Sequence, residues 1–338
     1  MRNLLSFLLL TLLGGRASAG LLNIFTAETD YDAAELMDLL FGSLANGTKL
    51  IIEGNSTGNP LSVDIKFLCG NRNNPNLVQT MLDDSNLASK ISNSKPLVFI
   101  IHGWMDNGNR NWIKSLTADY LTYFDTNVCV VDWGNLSIFG YYFAFQHTFS
   151  VSSYLTQFIT FVTANGFSLN GITIVGHSMG AQIAGQTGYA LGGQLSAIYG
   201  LDPASPMFKM PTDIGTAKRL DRTDAKYVQM IVTSRCFWGV CVADGHENFY
   251  PNDGMVPQPN CVLPLFSNAE FAEPILCSHI HAHSLFRYAL NPSNVFMGRT
   301  CSTCLLGLFG KQSKMGVYSS RVDGDYYLQT GVLPPYTI

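Results

Sequence analysis

Residues 171–181 read Gly-Ile-Thr-Ile-Val-Gly-His-Ser-Met-Gly-Ala, and they constrain the fold more tightly than any other stretch of the chain. Four β-prone residues, Ile172 to Val175, run directly into Gly176-His177-Ser178-Met179-Gly180. Small residues follow at Ala181, Ala184 and Gly185, as a helix packed closely on the strand before it requires. This is a G-x-S-x-G elbow: strand, sharp turn, helix. The turn is strained, so glycines at 176 and 180 make room where a Cβ would collide. It lifts the serine oxygen above the sheet and points the Met179 amide at the place where an oxyanion would form. The pentapeptide alone is a weak signal. Its flanking strand and small residues make it specific.

The chain opens with Arg2, an apolar run from Leu4 to Leu13, and Ala17-Ser18-Ala19. That is the pattern of a secretory signal peptide over residues 1–19, cut after Ala19, which implies a secreted, extracellular product. The run is too short to span a bilayer and no later stretch is long and apolar enough, so no transmembrane anchor is expected. Residues 20–338 then fit a single α/β domain. A formal net charge of −4 with scattered lysines and arginines argues against nucleic acid and against a heparin-binding patch. No feature bears on oligomeric state. Eight cysteines in a secreted chain suggest disulfides. Local closure would pair Cys236 with Cys241, Cys261 with Cys277, and Cys301 with Cys304. Cys69 and Cys129 each sit in an apolar, strand-like run; they either bridge neighbouring strands or stay as buried thiols. Asn46-Gly-Thr, Asn55-Ser-Thr and Asn135-Leu-Ser are glycan acceptor motifs.

Residues 20–58 read poorly, with a short helix at most over Asp30 to Leu40. Strands are expected at Ser62–Cys69, Pro96–Ile101, Val128–Asp132, Ile172–Val175, Leu195–Tyr199 and Val228–Thr233. Helices are expected at Asn111–Tyr123, at Val151–Ala164 from its helical spacing of apolar residues, and after Ser178. This alternation implies a mostly parallel sheet with helices on both faces. The chemically interesting residues fall at strand C-terminal ends, where open α/β sheets place their sites.

A serine hydroxyl needs a base to remove its proton, and the base needs a carboxylate to orient it. After such an elbow the acid comes first and the histidine later. Asp202 lies 24 residues beyond Ser178 at the end of the next strand, and Pro203 begins a loop there. Of seven histidines, His102 and His177 read as structural. His279, His281 and His283 all lie late enough to be the base, and chemistry alone does not separate them. His279 and His283 are also one helical turn apart, a weaker metal-binding pattern because no carboxylate or cysteine spacing completes a zinc site.

An ordered set of motifs separates them. Phe99-Ile-Ile-His-Gly-Trp104, Val131-Asp-Trp133, Gly176-His-Ser-Met-Gly-Ala181, Gly200-Leu-Asp-Pro-Ala204, Arg219-Leu-Asp221, Gly245-His246 with Phe249-Tyr-Pro-Asn252, and Cys277-Ser-His279 occur in that order. Over residues 60–330 this resembles the pancreatic lipase family of animal lipases and phospholipases A1, insect-type secreted members included. The resemblance implies an α/β-hydrolase fold with Ser178 as nucleophile, Asp202 as acid and His279 as base. It also implies that the amides of Trp104 and Met179 form the oxyanion hole.

Departures carry information too. The family's long enzymes have a C-terminal lipid-binding β-sandwich, and this sequence ends too early for one. Their structural calcium site resembles Arg219, Asp221 and Asp224, yet Thr216 stands where a glutamate is expected. That puts the ion in question, and no cofactor or catalytic metal is expected. His281 replaces an arginine two residues after the base.

In this family a lid and a second loop cover the serine. The lid here is Val262–Leu276, tied by Cys261 and Cys277, with Leu265, Phe266, Ala269, Ala272 and Leu276 suited to one apolar helical face. The second loop is short, and a Cys236–Cys241 bridge would cinch Phe237-Trp238-Gly239-Val240 into a tip that seats in a lipid interface. Triacylglycerol lipases of the family have both loops long and phospholipases A1 have both short. The expectation is therefore sn-1 hydrolysis of glycerophospholipids at a membrane or micelle surface, with triacylglycerol or galactolipid as alternatives. Insect yolk proteins of the family keep the fold and lose the triad; here all three members are present.

Overall fold

The computed structural model describes residues 63–262, 272–300 and 310–338. The signal segment, residues 20–58 with Asn46 and Asn55, most of the lid, and the Cys301–Cys304 pair lie outside the described residues.

Among the described residues, eleven strands form one sheet. In chain order they are β1 (Lys66–Asn71), β2 (Asn74–Thr80), β3 (Leu97–Ile101), β4 (Asn127–Asp132), β5 (Ile172–His177), β6 (Ala197–Leu201), β7 (Val228–Ile231), β8 (Glu247–Pro251), β9 (Met297–Arg299), β10 (Gln312–Lys314) and β11 (Gly324–Leu328). Across the sheet the order is β10-β9-β11-β8-β7-β6-β5-β3-β4-β1-β2. The seven strands from β11 to β4 run parallel, and antiparallel hairpins close both edges. This is the α/β-hydrolase fold.

Among the described residues, four helices of 12 residues or more cover the sheet: α1 (Asn111–Tyr123), α2 (Tyr141–Ala164), α3 (Met179–Ala190) and α4 (Ala272–Tyr288). Both faces of the central strands must be apolar for this, and β3 shows why they are. Leu97, Phe99 and Ile101 face one way and meet Phe158 and Ile159 of α2 with Ile183 of α3. Val98 and Ile100 face the other and meet Trp112 and Leu116 of α1 with Leu285 and Phe286 of α4. Side chains alternate across a strand, so one continuous apolar run feeds two cores. No described helix is long and apolar enough to cross a membrane.

Differences from the sequence reading have physical causes. Helix α2 begins at Tyr141, ten residues before the expected Val151, because Phe145 and Thr148 continue its buried face. Strands β2 and β8 to β11 carry no long apolar run and were not anticipated from pattern. Cys69 and Cys129 face each other in register on β1 and β4 and form a disulfide. Cys236–Cys241 and Cys261–Cys277 are also bonded. Asn135 is exposed.

Candidate active site

Four adjacent parallel strands end at one place, and each delivers one part of the site. Strand β5 ends at the elbow. Ser178 sits there with φ 56°, a left-handed value costly for a residue with a Cβ, and caps the N-terminus of α3. Its amide donates to Leu201 O at 3.0 Å, and its carbonyl accepts from Ala181 and Ala204. The elbow presses so closely on β3 that a Cβ on Gly180 would run into the carbonyls of Ile101 and His102. Only glycine fits, which is the local reason for the motif.

Strand β6 ends one residue before Asp202, which is fully buried. Its Oδ1 accepts from the amides of Thr233 (2.8 Å) and Ser234 (3.1 Å) at the end of β7. Its Oδ2 accepts from the Ser234 hydroxyl and from Nδ1 of His279 at 2.6 Å. A buried carboxylate without donors would be strongly penalised, and here four donors hold it.

His279 comes from α4, nearly 80 residues further on. It is buried, and its carbonyl lies 3.1 Å from Nε2 of His177, whose ring packs 4.7 Å away. His279 and Ser178 line one small cavity of about 30 Å³, walled by Trp104, Tyr141, Trp238, Leu276 and Ile280.

Strand β3 ends in the loop that carries Trp104. His102 fixes it: Nδ1 donates to Gly103 O at 2.9 Å while Nε2 accepts from the Trp133 amide at 3.0 Å, and the two rings stack. Among the described residues no acceptor takes the N–H of Trp104 or of Met179. Trp104 lines the same cavity as Ser178, and Met179 follows Ser178 in the chain.

The remaining histidines lie apart from this cluster's chemistry. His283 stacks on Trp112 at 4.6 Å, nearly parallel. His281 meets the edge of Tyr336, and among the described residues neither of its ring nitrogens has a hydrogen-bond partner. Burial depresses its pKa to about 3. Burial also holds His177 and His283 well below the ordinary range, with neighbouring histidines adding to it. His279 and His283 share a helix but point to different partners, and among the described residues no three metal-ligating side chains converge.

The residues resembling a calcium site give an incomplete set. Arg219 is occupied by Asp213 and Asp244, each at 2.7 Å. Asp221 and Asp224 are buried, and among the described residues each keeps one carboxylate oxygen without a partner. Burial, reinforced by Asp221, raises Asp224 to about 8. Two carboxylates fit part of the six to eight oxygens a calcium ion takes, and exposed Thr216 adds no carboxylate.

Sequence reasoning did not anticipate Ser234, since a lone serine after a strand carries no signal. It also paired Phe237 and Trp238 as one exposed tip. The structure divides them: Phe237 is 42% exposed, whereas Trp238 is buried and stacks 5.8 Å from His279.

A mostly parallel sheet with a serine elbow, a buried acid and a histidine at its strand ends defines an α/β hydrolase. The lipase family model matches residues 47–336, and the chain belongs to that family. It is 30% identical to human pancreatic triacylglycerol lipase over 307 residues, covering 80% of this chain and 64% of that one. Lipase member H-A of Xenopus laevis is 32% identical over 244 residues, covering 71% and 51%. The chain thus spans about two thirds or less of these relatives' length. Among solved structures, an α/β hydrolase from a Medee basin deep-sea metagenome library is 14% identical with a TM-score of 0.33, covering 54% of this chain and 70% of its own.

Proposed function

We propose that the chain is a secreted serine carboxylic-ester hydrolase acting on lipids, and specifically a phospholipase A1. The observation that carries the hydrolase reading is the 2.6 Å bond from Asp202 to Nδ1 of His279, in a cavity shared with Ser178. With Nδ1 engaged, Nε2 is the nitrogen left for the serine. His279 takes the Ser178 proton as Oγ attacks the ester carbonyl. The oxyanion that forms is met by the N–H groups of Trp104 and Met179. His279 then protonates the departing glycerol oxygen, and water, deprotonated by the same nitrogen, releases the fatty acid. No step needs a metal or cofactor.

The phospholipid reading rests on the second loop. Between Ser234 and Cys241 it has room for one turn, cinched by its disulfide, and a short loop leaves space for a polar head group. Exposed Phe237, with Ile138 (60%) and Phe139 (48%) beside Trp104, supplies apolar groups for a lipid surface. The family resemblance to triacylglycerol lipases supports the alternative substrate.

Product analysis separates the two. Secreted protein and a Ser178→Ala control are given phosphatidylcholine with different acyl chains at sn-1 and sn-2, and separately a triacylglycerol emulsion. Release of the sn-1 acid by the unaltered protein alone is expected. Release from the emulsion only makes it a triacylglycerol lipase. Inertness toward both, with lipid bound, makes it a binding or storage protein and ends this reading.

A further inference from the structure

We propose that Ser234 is a fourth member of the hydrolytic constellation, a positioning residue that fixes Asp202 through a loop clamped by the Cys236–Cys241 disulfide. This rests on the reading of Ser178, Asp202 and His279 just given.

Ser234 is fully buried immediately after β7. Its hydroxyl donates to Asp202 Oδ2, the same oxygen that accepts from His279, and lies 3.4 Å from His279 Nδ1. The hydroxyl's lone pairs take the Gly239 amide at 3.0 Å. The Ser234 amide donates to Asp202 Oδ1. One residue therefore contributes two of the four donors on the carboxylate and touches the base as well. No cation pairs with Asp202 in the described structure except His279 if it is protonated, so these neutral donors carry the stabilisation of its charge.

The loop is built to hold that contact. The Phe237 and Gly239 amides both return to the Ser234 carbonyl, at 3.0 and 3.1 Å. A Cβ on Gly239 would overlap Asp202 itself, so the loop's far side also rests on the acid. The disulfide joins the ends of this turn, and Trp238 at its tip packs over the His279 ring. A short cinched loop thus does two things at once: it clears the mouth for substrate and locks the acid.

Without the hydroxyl, Oδ2 loses a donor. The carboxylate then orients His279 less strictly. In Ser234→Ala we expect kcat to fall about ten- to thirtyfold, as for loss of a hydrogen bond to a charged group, with KM changed less than twofold. The acid limb of the kcat/KM profile should move to higher pH, and Ser234→Thr, which restores the hydroxyl, should return both. The low-field proton resonance of His279 Nδ1–H should shift in Ser234→Ala and return in Ser234→Thr, a readout that does not require turnover. A kcat within twofold of the parent would overturn the proposal. So would a loss of kcat with an unmoved pH profile, an unmoved resonance and no rescue by threonine. If the parent enzyme itself proves inert on every ester, the hydrolase reading fails, and the resonance alone still decides whether Ser234 holds the Asp202–His279 pair.

Discussion

Helix α4 carries three histidines, and two of them, two residues apart, meet different partners. His279 faces the strand ends, where Asp202 receives its Nδ1 at 2.6 Å and the Ser178 cavity opens beside it. His281 turns instead to the edge of Tyr336, with both ring nitrogens unpartnered among the described residues. Residue type, helix and burial are the same. The difference is what meets each ring: a buried carboxylate held by three further donors engages Nδ1 of one imidazole, whereas the other meets the edge of Tyr336. Chemistry at a buried site is set by partners more than by residue identity.

The sharpest way to break this comparison is to exchange the two roles. His279→Ala should reduce kcat/KM about ten-thousandfold, in line with removal of a triad member, measured by ester turnover on a soluble substrate. His281→Leu should leave it within a few-fold. Equal losses would erase the distinction.

The second effect is on stability and has a defined sign. His281 titrates near 6.5 when unfolded and near 3 in the fold, because burial disfavours its charged form. Between those values the unfolded chain binds a proton that the native chain refuses. His281 therefore makes stability fall as pH drops from about 6.5 toward 3, by at most about 1.4 kcal/mol per pH unit. His281→Leu should flatten that part of the profile in denaturant titrations. An unchanged slope would mean that the ring finds a partner on acidification.

A smaller effect concerns His177, whose Nε2 donates to the His279 carbonyl at 3.1 Å. His177→Phe removes this side-chain donor from a carbonyl that also lies within the hydrogen-bonding ladder of α4. It should cost about 0.5–1.5 kcal/mol of stability and lower kcat several-fold by loosening His279, read from melting and turnover together. Least is expected of His283→Leu. Losing the stack on Trp112 should cost about 1 kcal/mol and leave kcat within twofold.

How much of this was legible in the chain depends on sequence distance. The elbow was legible because its constraint is local: strand, two glycines and small residues are consecutive, and each is needed where the backbones touch. Asp202 was legible because a strand end followed by proline fixes its place. The histidine was not. Three candidates within five residues are distinguished only by which way α4 turns them, and only the family resemblance singled out His279. The Phe237–Trp238 tip shows the same limit, since adjacent residues of a tight loop point to opposite sides. Ser234 left no trace, its importance arising wholly from a carboxylate 32 residues earlier. Strand β11 pairs with β8 across 77 positions, a long-range match that alternation within five residues does not announce.

Ser178 is proposed to be a nucleophile activated by His279. That role is tested most directly by labelling the folded protein with a fluorophosphonate and locating the adduct by peptide mass mapping. One adduct is expected, on Ser178, formed in the unaltered protein and in His281→Leu but lost in His279→Ala. An unlabelled Ser178 in the unaltered protein, or labelling that survives His279→Ala at the same rate, would contradict it.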